Sequence, residues 1–209
     1  MLHYETIDTQ TLGLLKSLQK APAFSELRLV GGTSLALQIG HRKSIDIDLF
    51  GELKADEYEV SDSLNAIGKV TILKKSENIN IYLIDNIKVD IVNYHYPWLE
   101  NPIIEDNLTL ASVKDIAAMK LAAITGRGSK KDFVDLYFLL QTYSLKEILA
   151  FYNQKYHDGS EFLVLKSLSY FEDADEDEEP MMLKAIKWKN VKGVIEKEVL
   201  EEVMRSDEK

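Results

Sequence analysis

Two aspartates sit one residue apart inside an apolar alternation, Ile45-Asp46-Ile47-Asp48-Leu49-Phe50. Alternation of this kind predicts a strand over residues 45–50, with Ile45, Ile47 and Leu49 turned to a core and both carboxylates on the opposite face. Two ionised carboxylates on one face repel each other, and a cation between them relieves the repulsion. The chain has no cysteine, and hard oxygen donors suit Mg²⁺ or Mn²⁺. Lys88-Val89-Asp90-Ile91-Val92 repeats the alternation with a single acid between apolar neighbours. If that strand lies beside residues 45–50, Asp46, Asp48 and Asp90 share one surface. Three such carboxylates can hold two metal ions about 3.5–4 Å apart, an arrangement that serves phosphoryl transfer.

The second chemical feature is Gly31-Gly32, which follows the short apolar run Leu27-Arg28-Leu29-Val30. Glycines at a strand-to-helix turn let backbone approach an anion without a Cβ in the way. The helix predicted over Thr33–Ile39 would aim its unbonded N–H groups and positive dipole end at that anion. Thr33 and Ser34 add hydroxyl donors, and Arg42 and Lys43 would draw a negatively charged substrate inward. A nucleoside triphosphate is the natural guest.

These groups need a scaffold. Helical spacing is predicted over residues 8–20, with Asp8 as N-cap, and strands over 70–73, 79–84 and 87–92, the last two joined by an Asp85-Asn86 hairpin turn. After Pro102 strand signals are scarce, and helical periodicity runs through 112–125, 132–142, 144–155, 160–171 and 191–204. The acidic run Glu172–Glu179 reads as a solvated loop. The chain is 209 residues long, with 45% hydrophobic and 29% charged residues, enough for a real core. Its net charge of −10 argues against broad nonspecific binding to nucleic acid. No apolar run approaches the length of a membrane span, and the first ten residues lack a signal-peptide pattern. A cytoplasmic protein without a membrane partner is the expectation.

Apolar-Gly-Gly, a short helix, apolar-Asp-apolar-Asp-apolar and then apolar-Asp-apolar together resemble the polymerase-beta-like nucleotidyltransferase superfamily. GGTSLALQIGHRKSIDIDLF (residues 31–50) and ASVKDIAAMKLAAITGRGSKKDFVDLYFLL (residues 111–140) resemble, more narrowly, the AbiEii/AbiGii nucleotidyltransferase toxins of abortive-infection and toxin–antitoxin systems. Residues 170–192, YFEDADEDEEPMMLKAIKWKNVK, are similar to that family's C-terminal part. The resemblance implies an α+β fold: a mixed sheet with flanking helices in residues 1–105 and a helical half, residues 106–209, completing the active-site cleft. It implies that Asp46 and Asp48 bind the catalytic metal, with Asp90 as third ligand or general base. Ser34 and the Gly31-Gly32 backbone would hold nucleotide phosphates, Lys120 would contact the triphosphate, and Asp132 would be needed for activity. The reaction implied is transfer of a nucleotide from an NTP to an acceptor, the tRNA 3′ end in some members, with a cognate antitoxin as partner. Lys131 departs from the family, where many members have Arg before the aspartate.

Plainer readings stand beside these. A protein hydroxyl or a small molecule can be the acceptor, or the chain can bind nucleotide or a partner without turnover. Lys120 can be a solvated helix-face lysine, Asp132 a helix cap like Ser129, and Asp135 a partner for a nearby lysine. His41 reads as a surface loop residue. Tyr94, Tyr96 and Trp98 can stack on a base or simply pack, and Lys184–Lys192 can touch RNA phosphates or form a charge-balanced face.

Overall fold

A computed structural model describes residues Met1–Asp207. The chain divides into two compact units: Met1–Tyr96 with Asn101–Ser112, and Pro97–Glu100 with the residues from Val113 onward.

The first unit is built on a seven-stranded mixed sheet. Its strands are β1 (Leu27–Leu29), β2 (Ile47–Gly51), β3 (Val70–Lys74), β4 (Ile79–Ile84), β5 (Ile87–Asn93), β6 (Ile103–Glu105) and β7 (Leu108–Leu110), in spatial order β3-β4-β5-β2-β1-β7-β6. β2 runs parallel to β5 and β1 parallel to β7, while the remaining pairs are antiparallel. Asp85 and Asn86 both take positive φ, as a two-residue hairpin turn requires, and join β4 to β5. Three helices accompany the sheet: α1 (Thr9–Lys20), α2 (Gly31–Ile39) and α3 (Glu57–Ile67). Asp8 caps α1 by accepting from the Thr11 amide at 2.8 Å, as its sequence position predicts. Leu15 and Leu18 of α1 and Leu64 of α3 meet Leu29, Ile47, Leu49, Val89 and Ile91 in one core. Each fully buried aliphatic side chain there contributes roughly 1.5–3 kcal/mol.

Several expectations are corrected. Residue 105 falls in the β6–β7 hairpin, so strands do occur after Pro102; Asp106 and Asn107 form its positive-φ turn. Helix α3 carries too narrow an apolar stripe, Val60 and Leu64, to stand out by periodicity. Ile45 precedes β2 and is 63% exposed rather than in the core, because its backbone lies outside the strand pairing. His41 is fully buried, not on the surface.

The second unit is helical. Around α4 (Val113–Gly126) stand α5 (Lys130–Leu139), α6 (Leu145–Lys155) and α7 (Glu161–Leu168), and the long α9 (Trp188–Asp207) packs on α5, α6 and α7. The acidic run is not a plain solvated loop. Glu172–Glu176 form the short α8, Asp175 accepts from Trp188 at 2.6 Å and Lys192 at 2.8 Å, and Asp177 accepts from the Lys130 amide at 2.8 Å. Acids at the first turn of α5 are favoured by its dipole, which gives the run a structural use.

One fully buried ion pair ties this unit together. Lys155 Nζ lies 2.7 Å from Asp115 Oδ1 and donates to the Pro97 carbonyl at 2.8 Å, with the Trp98 ring centroid 4.5 Å away. Asp115 also accepts from the amides of Leu99 (2.9 Å) and Glu100 (3.3 Å). Trp98 thus packs within the helical unit beside a cation.

Candidate active site

The acid-bearing face of the first unit is set by strand register. Asp48 of β2 and Asp90 of β5 are direct partners in the parallel ladder, so both carboxylates leave the same face on strands about 4.8 Å apart. Ile47, Leu49, Val89 and Ile91 alternate with them and are fully buried, which fixes the acids outward. Asp46, two residues before Asp48, is half-buried just ahead of β2.

Gly31 opens α2 with φ +68°, in the left-handed region, and a Cβ there would lie 2.1 Å from Asp48 Oδ2. The glycine therefore lets the Asp48 carboxylate rest against the start of the helix. Gly32 gives the same latitude to Arg42, whose guanidinium nitrogen would be 2.2 Å from a Cβ at 32. The N-cap residue Val30 itself offers no side-chain hydrogen bond to the helix start. A carboxylate and the N-terminal end of a helix thus face one small space.

Thr33 and Ser34 are buried. Thr33 Oγ1 donates to the Asp46 carbonyl and lies 2.9 Å from Ser44 Oγ, which ties the helix to the acid segment. Ser34 Oγ accepts from Gln38 Nε2 at 3.1 Å. Arg42 is only 3% exposed, and it donates to the Lys43 carbonyl at 3.0 Å. It frames the glycine turn from inside rather than reaching into solvent.

Lys88 was not anticipated as part of this face. Its ammonium sits 2.7 Å from Asp90 Oδ1 and 2.8 Å from Oδ2. The signal was present in Lys88-Val89-Asp90, since residues two apart on a strand share a face.

In the second unit the predicted pair Lys120 and Asp132 come together. Lys120 is 4% exposed, with Nζ 2.9 Å from Asp132 Oδ1 and 2.5 Å from Asp135 Oδ2. It is a buried bridge, not a solvated helix-face lysine. Arg127 Nε and Nη2 donate to the same Asp132 carboxylate at 2.8 and 3.1 Å, and Ser129 Oγ donates at 2.6 Å. Ser129 is the N-cap of α5, so Asp132 is held from the first turn of its helix.

Burial alone would raise the Asp132 pKa. The Lys120 charge and the hydrogen bonds from Arg127 and Ser129 outweigh it and hold the carboxyl well below the usual range. A depressed folded-state pKa means that the unfolded chain binds the proton more readily. Asp132 therefore adds stability above its unfolded pKa of about 3.9, and this is lost as pH falls toward the folded value. The gap in melting temperature between wild type and Asp132→Asn is expected to narrow as pH drops from about 5 to 2. A gap that widens would refute the charged assignment.

Gly31 offers a direct check on the first unit. A Gly31→Ala chain is expected to lose about 1–2 kcal/mol from the left-handed backbone and to displace Asp48, so activity should fall further than stability. Wild-type activity in that variant would remove the close-approach argument.

Among the described residues, no three acidic or histidine side chains converge into a ready metal cage. The Asp48 carboxylate rests on Gly31 and Lys88 holds that of Asp90, yet the strand register fits an ion of the Mg²⁺ type. The donors are all oxygen, and those of Asp48 and Asp90 leave neighbouring strands in register.

A seven-stranded mixed sheet with paired acids on neighbouring strands, beside a glycine turn that opens a helix, is the frame of a nucleotidyltransferase. The crystal structure of JHP933 from Helicobacter pylori matches with a TM-score of 0.59 over 97% of each chain, at 18% identity. MenT4, a nucleotidyltransferase toxin from Mycobacterium tuberculosis H37Rv, matches with a TM-score of 0.55 over 91% of this chain and 80% of its own, at 15% identity. At those identities the likeness is one of fold. In sequence, the uncharacterised protein aq_aa25 of Aquifex aeolicus (strain VF5) is 41% identical over 159 residues, 73% of this chain and 77% of that one. Residues 13–202 match the model of the nucleotidyl transferase AbiEii toxins of type IV toxin–antitoxin systems, and the chain belongs to that family.

Proposed function

We propose that the protein moves a nucleotide from an NTP to the 3′ end of tRNA in a Mg²⁺-dependent reaction, acting in the cytoplasm as a toxin restrained by a separately encoded antitoxin. The observation that carries this reading is the in-register Asp48–Asp90 pair beside the Gly31-Gly32 opening of α2. A phosphate at that helix end would meet the Asp48 carboxylate, and the two anions can share the space only with a cation between them. Asp46, Asp48 and Asp90 would hold it. When bound, the ion would neutralise charge on the phosphates during transfer.

The chain's own groups supply the rest. The α2 backbone amides cradle the phosphates, with Thr33 and Ser34 fixing the helix that carries them. Arg42, behind Gly32, adds fixed positive charge. Asp90, released from Lys88, would serve as third metal ligand or as the base that takes the proton of an attacking hydroxyl. Lys120, Arg127 and Asp132 enter as one charge unit. Lys120 would contact the triphosphate, the role its family resemblance implies. Exposed Lys184, Lys187 and Lys189 supply positive charge for RNA phosphates despite the acidic whole. Among the described residues no helix is long and apolar enough to cross a membrane.

The test is incubation of wild type and an Asp46→Ala/Asp48→Ala control with Mg²⁺, each labelled NTP and total tRNA. Labelled RNA with wild type only is the expected result. Label on protein or on a small molecule instead would keep the chemistry and replace the acceptor. No labelled product of any kind would overturn the reading.

A further inference from the structure

We propose that Phe50, Tyr94 and Tyr96 form a stacking platform for the base of the donor nucleotide; this rests on the nucleotidyl-transfer reading above and deepens it. The alternation that puts the acids on one face continues past them. Phe50 follows Asp48 by two residues on β2, and its register partner is Val92, two residues after Asp90. Pairing persists one residue beyond β5, because the Tyr94 amide donates to the Gly51 carbonyl at 2.8 Å. Phe50 and Tyr94 therefore leave the sheet on the acid-bearing face, Phe50 one pleat repeat beyond Asp48 and Tyr94 two beyond Asp90.

The rings form a continuous series. Phe50 and Tyr94 have centroids 5.4 Å apart at 47°, and Tyr94 and Tyr96 have centroids 5.5 Å apart at 53°. Phe50 and Tyr94 are half-buried, and Tyr96 is 39% exposed. They are not needed to close the core, which lies on the other face of these strands with Ile47, Leu49, Val89 and Ile91. The single pleat repeat from Asp48 to Phe50 is about 7 Å, the span that a ribose fills between a phosphate and its base, and Tyr94 and Tyr96 extend the platform from Phe50. With phosphates at the acids and the α2 end, the base arrives over the rings. Stacking on aromatic faces is tolerant of base identity, because every base has a π-face. The platform would therefore secure any of the four nucleotides and leave selection among them to other groups.

The experiment is calorimetric binding to the full chain of each of the four NTPs with Mg²⁺, and separately of inorganic tripolyphosphate with Mg²⁺. Wild type is compared with Tyr96→Ala, Tyr94→Ala and Tyr94→Phe. Tyr96 is exposed enough to be replaced without threatening the fold, so it keeps the test decisive should Tyr94→Ala fail to fold. Loss of one ring is expected to weaken all four NTPs about 10-fold, to leave tripolyphosphate binding unchanged, and to be rescued in Tyr94→Phe. If wild type binds NTPs and the Tyr96→Ala chain binds them equally well, the platform is overturned while nucleotidyl transfer stands. If wild type binds neither NTPs nor tripolyphosphate, both fall together.

Discussion

An Asp48→Asn chain is expected to lose nucleotide transfer by at least about 10³-fold, roughly 4 kcal/mol of transition-state stabilisation, while keeping its fold. Asp48 faces Asp90 across the β2–β5 ladder and rests on the bare Cα of Gly31. Asparagine preserves the shape and removes the charge. Lys88 already compensates Asp90, so removing the Asp48 charge relieves little repulsion and should leave the melting temperature nearly unchanged. Transfer assays and thermal melts on one preparation decide the matter. A variant that melts many degrees lower would show that the carboxylate is structural, and a fully active one would remove Asp48 from the chemistry.

The largest effect on stability is expected from Lys155→Met. The ammonium it removes is fully buried and bonded to Asp115 and to the Pro97 carbonyl. Methionine fills similar space but leaves Asp115 as a buried charge without its ammonium, still accepting from the amides of Leu99 and Glu100. Breaking one side of such a pair costs about 3–5 kcal/mol. In a chain of this size each kcal/mol moves the melting point by about 2–4 °C. A fall of roughly 6–20 °C is therefore expected in a melt. The Asp115→Asn/Lys155→Met double variant should recover part of it, because neither charge is then left alone. A single variant that melts like wild type would show that water reaches the site.

The acid face was legible because a strand has the simplest of periodicities. Two carboxylates in Ile45–Phe50 and one in Lys88–Val92 must share a face once the strands are neighbours, and apolar residues on both sides make them neighbours. The hairpin at Asp85-Asn86 was legible for a similar reason, being two residues tolerant of positive φ between two long apolar runs. The same dipeptide at Asp106-Asn107 joins strands of only three residues, too short for alternation to register. Helix α3 announces itself by its capping box, Asp56 with Glu59, more than by its apolar stripe. Burial of charge was the hardest to read. Lys120, Asp132 and Asp135 stand together in sequence, but their desolvation depends on how α4 and α5 meet. Asp115 and Lys155 are 40 positions apart and carry no local sign of each other. His41 and Arg42 read as loop residues because nothing in the loop itself says that chain elsewhere will cover them.

The path of the chain through its two units limits how such a gene can be divided. The backbone leaves the sheet-bearing unit after Tyr96, serves the helical unit for Pro97–Glu100, returns to supply β6 and β7, and departs again at Val113. A fragment that stops at residue 96 has no strand to lie against the outer side of β1. A fragment that starts at residue 113 brings Asp115 and Lys155 without the amides and carbonyl that satisfy them. A cut at either junction therefore delivers an incomplete piece.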